Sequence, residues 1–208
     1  MQKIVQIFVA ISTFIVSLLL PIFVLVWQGD FVVQKVEVLQ TSALANVDTK
    51  VYSEQILDFL LGKGNLPSQM TSLEMAHMQD VKNLFVAGEW MLVISAMILV
   101  VSYFILKFTQ KIQIYWRGLR AGAILAIIII ILLGMAMFFD FENIFIHFHQ
   151  IFFPQGNWTF PADSLMIQIF TENLFEWLGM IIAAASLFLT INISIFSQYK
   201  IKKGTDAR

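Results

Sequence analysis

Cysteine is absent from the 208 residues. Disulfides, thiolate metal sites and cysteine nucleophiles are therefore excluded together. Charge is scarce as well. Only 13% of residues are charged, against about 25% in a soluble domain. Hydrophobic residues make up 59% and mean hydropathy is +0.80, which excludes disorder, a state that requires low hydrophobicity. A net charge of −1 suggests no nucleic-acid partner. Glycine around Gly62-Lys-Gly64 is too sparse and misplaced for a phosphate loop. There is no Gly-x-Ser-x-Gly elbow, no His-Glu-x-x-His pair and no internal repeat.

What is present is four runs without a charge: Ile4–Trp27, Trp90–Leu106, Ala121–Phe139 and Trp177–Tyr199. Each matches the roughly 17–25 apolar residues that span a bilayer. Inside hydrocarbon every backbone polar group must be paired within the segment, so the runs are expected to be helices. With flanking residues that snorkel, the spans are expected at about 4–27, 87–108, 119–139 and 177–199 of a single membrane domain, 1–208. Pro21 is expected to bend the first, because it lacks an N–H. That first run has no small-residue cleavage pattern after Trp27 and is longer than a signal core, so it is expected to be retained.

The charges are sorted by segment. Lys3, the loop cations Lys107, Lys111, Arg117 and Arg120, and the tail cations Lys200, Lys202, Lys203 and Arg208 share one side with a single acid, Asp206. The other side holds Lys35, Lys50, Lys63 and Lys82 with thirteen acids. The positive-inside rule then places both termini in the cytoplasm and residues 28–86 and 140–176 outside, with all three histidines. The expected architecture is an all-α integral membrane protein. Short helices in the two extracytoplasmic segments, with a strand at Phe31–Leu39, would form an outer cap.

The strand expectation rests on β-branched residues and partial alternation. Val51–Leu61 has helical apolar spacing, and Gly62–Pro67 breaks it. Thr71-Ser-Leu-Glu74 fits a capping box that opens a second helix. On that helix Glu74, His77 and Asp80 fall within an arc of roughly 120°. Carboxylates flanking a histidine can hold its tautomer and raise its basicity. A solvated polar face is the plainer account of the same spacing, and Glu74-x-x-His77 alone falls short of the paired motif of di-iron bundles.

Asp140–Phe153 is aromatic, apolar and carries His147 and His149. On a helix these two face opposite ways, at about 200°. On a strand they share a face, and with His77 a three-histidine zinc site becomes conceivable. Pro154–Asn157 is a turn, Trp158–Pro161 an interfacial anchor, and Asp163 a cap for a helix at Ser164–Phe170. Asn157-Trp-Thr159 matches the frequent glycosylation triplet and is set aside.

Glu74-x-x-His77-x-x-Asp80-Val-Lys82-x-Leu84 and Phe145-x-x-Phe148-His149-x-x-x-Phe153, followed by Gly156-Asn-Trp158 and Asp163-x-Leu165, resemble the small four-span lipoprotein intramolecular transacylases of Gram-positive bacteria. The likeness covers roughly 70–88 and 140–175 as well as the span layout. Where the family pattern carries a proline before Glu172, this chain has Thr171. The resemblance implies a bacterial cell-membrane enzyme without cofactor or metal, acting as a monomer among membrane lipids on a diacylglyceryl lipoprotein, with no nucleic acid involved. It would move the sn-2 acyl chain of the modified N-terminal cysteine to that cysteine's own α-amine, giving the lyso-form. His77 and His149 would be catalytic. Glu74, Asp80, Lys82, Phe148 and Trp158 would orient them or contact substrate. His147 has no counterpart and is left out. The competing classes are a metal-dependent membrane hydrolase using the outer histidines, and a non-enzymatic scaffold. A transporter is disfavoured because the uncharged runs mark no pathway.

Overall fold

The computed structural model describes residues 2–39 and 47–206. Arg208 lies outside them. Among these residues eight helices follow in order: α1 Gln2–Trp27, α2 Gly29–Leu39, α3 Thr49–Leu60, α4 Ser72–Phe108, α5 Ile112–Phe139, α6 Phe141–Phe152, α7 Leu165–Ile169 and α8 Glu172–Asp206. Among the described residues there is no strand. The helices α1, α4, α5 and α8 are each long and apolar enough to cross a membrane. Helix α1 runs through Pro21 without interruption. The 37 residues of α4 rise about 55 Å, against a hydrocarbon core of about 30 Å. One helix is thus long enough to span a bilayer and also carry a site beyond it.

The chain forms two compact units, one from Met1–Ile22, Gly88–Gly134 and Ile182–Arg208, the other from Phe23–Ala87 and Met135–Ile181. In the first, apolar burial cannot drive helix association as it does in water, because lipid is as apolar as leucine. Close approach of backbones takes over. Gly118 and Gly122 of α5, four residues apart, face Val9, Ala10 and Thr13 of α1. A Cβ on Gly118 would stand 2.8 Å from Val9 Cβ, and one on Gly122 would strike the Ala10 carbonyl oxygen. The buried threonine hydroxyls bond within their own helices: Thr13 donates to Val9 O at 2.7 Å and Thr190 to Ser186 O at 2.7 Å. Gly122→Leu is therefore expected to destabilise by overpacking, on the order of 3 kcal/mol. Gly134→Ala, with nothing within 4 Å of the added Cβ, is expected to be neutral or stabilising by up to ~1 kcal/mol. Thermal unfolding in detergent compares the two.

The second unit has an ordinary hydrophobic core. Val36 from α2, Tyr52 and Ile56 from α3, Met78 from α4, Ile169 from α7 and Leu174 from α8 are buried together with Met70. The strand expected at Phe31–Leu39 is helix α2. Its Val32, Val33 and Val36 recur at helical spacing, and the first two pack with Leu57, Leu25 and Leu178. That burial outweighs the weak β preference of valine. Helix α3 forms as its periodicity implies, with Asp48 as N-cap accepting from Val51 N at 3.1 Å. Asp140 ends α5 and starts α6: its N–H donates to Ala136 O at 3.0 Å, and its carboxylate accepts from Asn143 N at 3.3 Å. The helix expected at Ser164–Phe170 with Asp163 as cap is shorter. Ser164 itself caps Leu165–Ile169 through its Oγ, which accepts from Ile167 N at 3.3 Å.

Candidate active site

The capping box is formed. Glu74 Oε2 accepts from Thr71 N at 2.7 Å and from Thr71 Oγ1 at 2.9 Å, while Glu74 N donates to Thr71 Oγ1 at 3.3 Å. The other oxygen, Oε1, accepts from Met166 N at 3.3 Å. Glu74 is only 2% exposed, so this carboxylate ties the start of α4 to α7 across 92 residues of chain. Burial, and then the negative charge of Glu74, push the Tyr52 hydroxyl upward.

His77 lies three residues further along α4 and is 6% exposed. Because α6 is a helix, its two histidines part. His147 is exposed and donates its Nδ1–H to Asn143 O at 2.6 Å. His149 turns to His77, the rings stacked at 6.0 Å between centroids and 28° between planes. Around the pair stand Phe153 at 4.8 Å and Phe160 at 5.6 Å from His77, with Phe145 at 4.1 Å and Trp158 at 5.0 Å from His149. Phe148 touches the edge of His149 at 5.4 Å and is itself exposed. Lys82 is directed elsewhere, with Nζ 4.1 Å from the Phe59 ring centroid.

His149 Nδ1 lies 2.8 Å from Phe145 O. A carbonyl oxygen only accepts, so Nδ1 carries the proton, and the neutral ring keeps its lone pair on Nε2. Asp80 does not bond to His77. Its Oδ2 accepts from Gln155 Nε2 at 2.7 Å and from Asn157 Nδ2 at 2.6 Å. The turn after α6 makes this possible. Gly156 adopts φ +77° and donates to Phe153 O at 3.1 Å, folding Gln155 and Asn157 back onto α4. His77 Nδ1 and Asn157 Oδ1 are both buried without a hydrogen-bond partner. Asn157 is near enough to favour a protonated His77, so the two are neighbours whose bond is not formed.

The carboxylate-flanked arc on α4 led to an expectation of raised basicity at His77. The outcome is the reverse: His77 is pushed down to about 4. Burial is the largest cause and His149 adds to it; Asp80 and then Asn157 pull upward and are outweighed. His149 is also lowered, by burial, against an upward pull from the Phe145 carbonyl. At neutral pH both rings are uncharged bases in an aromatic box.

Of the residues singled out in the sequence, His77, His149, Phe148 and Trp158 come together. Asp80 reaches the pair through Asn157, Glu74 is bonded away from it, and Lys82 covers Phe59. Asn157, Gln155 and Phe160 were missed as site residues. Asn157 stood in the sequence as part of a turn, of the Gly156-Asn-Trp158 motif and of a glycosylation triplet, with no role of its own. Among the described residues no three His, Asp or Glu groups converge as a metal site requires. Both carboxylates that a metal-dependent hydrolase would recruit are already bonded to other donors.

Among the described residues, four membrane-length helices define an integral-membrane protein, and a stacked pair of histidines lies in an aromatic box. The sequence profile of the lipoprotein intramolecular transacylase family Lit matches residues 4–175, and the chain belongs to that family. It is thus a membrane-integral lipoprotein intramolecular transacylase, an enzyme that acts on lipoproteins. Its fold is similar to the in meso structure of Lit from Bacillus cereus, at 22% identity and TM-score 0.86, covering 99% of this chain and 98% of that one. Structures of that protein with one histidine replaced by arginine or by alanine match at TM-score 0.75, also at 22% identity. They cover 100% and 99% of this chain, and 95% and 96% of theirs. Sequence comparison with curated proteins gives no match.

Proposed function

We propose that the enzyme transfers the sn-2 acyl chain of a diacylglyceryl-modified N-terminal cysteine to the α-amine of the same cysteine, with His77 as base and then acid. The stacked, burial-shifted His77–His149 pair carries this reading. The amine nitrogen attacks the sn-2 ester carbonyl, forming the amide C–N bond. The proton it loses passes to His77, the C–O bond breaks, and the proton goes on to the departing sn-2 oxygen, which leaves as a hydroxyl. The α-amine has a reference pKa of about 7.7–8.0. Burial disfavours its charged form just as it disfavours protonated His77, so donor and acceptor are shifted in the same direction. Both reactants sit on one molecule, so positioning supplies much of the rate.

His149 in its Nδ1–H form offers a lone pair and no free N–H. Its role in this reading is to accept or relay a proton, not to polarise the ester carbonyl. Asn157, anchored by Asp80, is placed to hold His77 Nδ1–H when the ring reorients on binding substrate. Trp158 and Phe148 would flank the acyl chain. The site would face the extracytoplasmic side, a reading supported by the nine of thirteen cations gathered in the opposite segments.

The test is expression in cells that make diacyl lipoproteins, followed by fragmentation mass spectrometry of lipoprotein N-termini. Intramolecular transfer leaves the lipopeptide mass unchanged and moves one acyl chain onto nitrogen in the fragment ions. A gain of one acyl mass, or an amine that stays free, would count against it. His147→Ala is expected to keep conversion within about twofold of the unaltered enzyme in the same assay, since surface changes away from special features cost little.

A further inference from the structure

The first unit contains a cavity of about 280 Å³ lined by Thr13, Tyr103, Tyr115, Trp116, Phe196 and Ser197 among others. This is slightly below the range of small-molecule pockets, about 300–1,000 Å³, and suits a stretch of acyl chain better than a whole ligand. Its two aliphatic hydroxyls are already bonded and are not free to recognise a polar group. Thr13 donates to Val9 O and Ser197 to Ile193 O, both at 2.7 Å. The wall is in effect apolar and aromatic.

Its rim is cationic. Lys107 Nζ stands 5.6 Å from the Tyr103 ring centroid, and Lys200 Nζ stands 5.9 Å from Trp116 and 5.1 Å from Phe196. Among the described residues neither ammonium has a carboxylate within 4.0 Å. Arg120, next in sequence to the lining residue Leu119, has a buried Nε with no partner. Apolar space beneath unpaired cations at one end of a helix bundle is complementary to a lipid with a negative headgroup.

We propose that this cavity binds one acyl chain of an anionic membrane phospholipid, with the headgroup phosphate held by Lys107 and Lys200. The site is separate from the histidine pair and does not depend on its chemistry. Each lysine near an anionic lipid contributes about fivefold in affinity, so two contribute roughly 30-fold.

The experiment uses purified full-length protein in detergent, titrated with phosphatidylglycerol or phosphatidylcholine carrying brominated acyl chains while tryptophan fluorescence is read. Trp116 is the tryptophan lining the cavity, and subtracting the signal of Trp116→Phe isolates its quenching. Phosphatidylglycerol is expected to quench Trp116 at lower concentration than phosphatidylcholine. Lys107→Gln combined with Lys200→Gln is expected to shift the phosphatidylglycerol midpoint by roughly 30-fold and leave the phosphatidylcholine midpoint in place. In the unaltered protein, added salt is expected to weaken the phosphatidylglycerol titration alone. Equal midpoints for the two lipids, an unshifted double variant, or salt-independent titration would each overturn the proposal.

Discussion

His77→Ala is expected to lower conversion of the diacyl lipoprotein to its N-acyl form by at least about 100-fold, the lower end of what a positioned acid–base group contributes. The ring is central to the box: it stacks on His149 and meets Phe153 and Phe160 edge-on. Removing it would delete the proposed proton acceptor and loosen three aromatic neighbours at once. Phe160→Ala separates the two effects, because it also opens the box but leaves both histidines in place. A conversion rate for His77→Ala within tenfold of the unaltered enzyme, in a protein that still melts cooperatively, would remove His77 from the chemistry.

The same residue predicts a pH signature. The folded-state pKa of about 4 lies below the unfolded value near 6.5. Between those values the unfolded chain binds more protons than the folded one, so the His77 contribution to stability is intact above about pH 6.5 and is lost as pH falls toward 4. The melting midpoint of the unaltered protein should fall through that window more steeply than that of His77→Ala. Activity should show no acid limb near 6.5, since the base is already uncharged there. The limb should instead follow the substrate amine.

Much of the architecture was legible because lipid imposes a simple rule. A helix that must satisfy its own backbone and contact only hydrocarbon can carry no charge for its whole length, and α1, α4, α5 and α8 each contain such a run. The capping box at Thr71–Glu74 was legible for a related reason, since its partners are three residues apart. Helix α2 was misread because its valines favour a strand locally, while what decides the outcome is burial against Leu57 of another helix. Asn157 was missed because its partner Asp80 is 77 residues away, a separation no local pattern encodes. The direction of the His77 shift was also out of reach. Charged neighbours can be read from sequence spacing, but the burial that outweighs them comes from Phe153 and Phe160 on distant segments. The Gly118–Gly122 spacing, by contrast, was a small-residue signal available in the sequence for helix contact.

Glu74→Ala is expected to be the most damaging single change to the fold of the second unit. The buried carboxylate receives Thr71 N–H, Thr71 O–H and Met166 N–H. Truncation leaves the amides of exposed Thr71 and half-buried Met166 without this acceptor, and a fully buried unsatisfied donor would cost about 1–3 kcal/mol. With both donors partly open to water the loss is on the order of 2 kcal/mol, enough to register as a lowered melting midpoint in detergent. Glu74→Gln keeps one acceptor oxygen and replaces the other with a donor that faces an N–H, so it should fall between alanine and the unaltered protein. Activity should follow folding. His77 sits one turn beyond Glu74 and rests on the same helix start, so Glu74→Gln should regain most of its conversion rate when assayed well below its melting midpoint, whereas His77→Ala should not recover at any temperature. A Glu74→Gln enzyme that is fully folded in the cold yet remains as slow as His77→Ala would place this carboxylate in the proton transfer itself, beside Asp80, which reaches the histidine pair through Asn157.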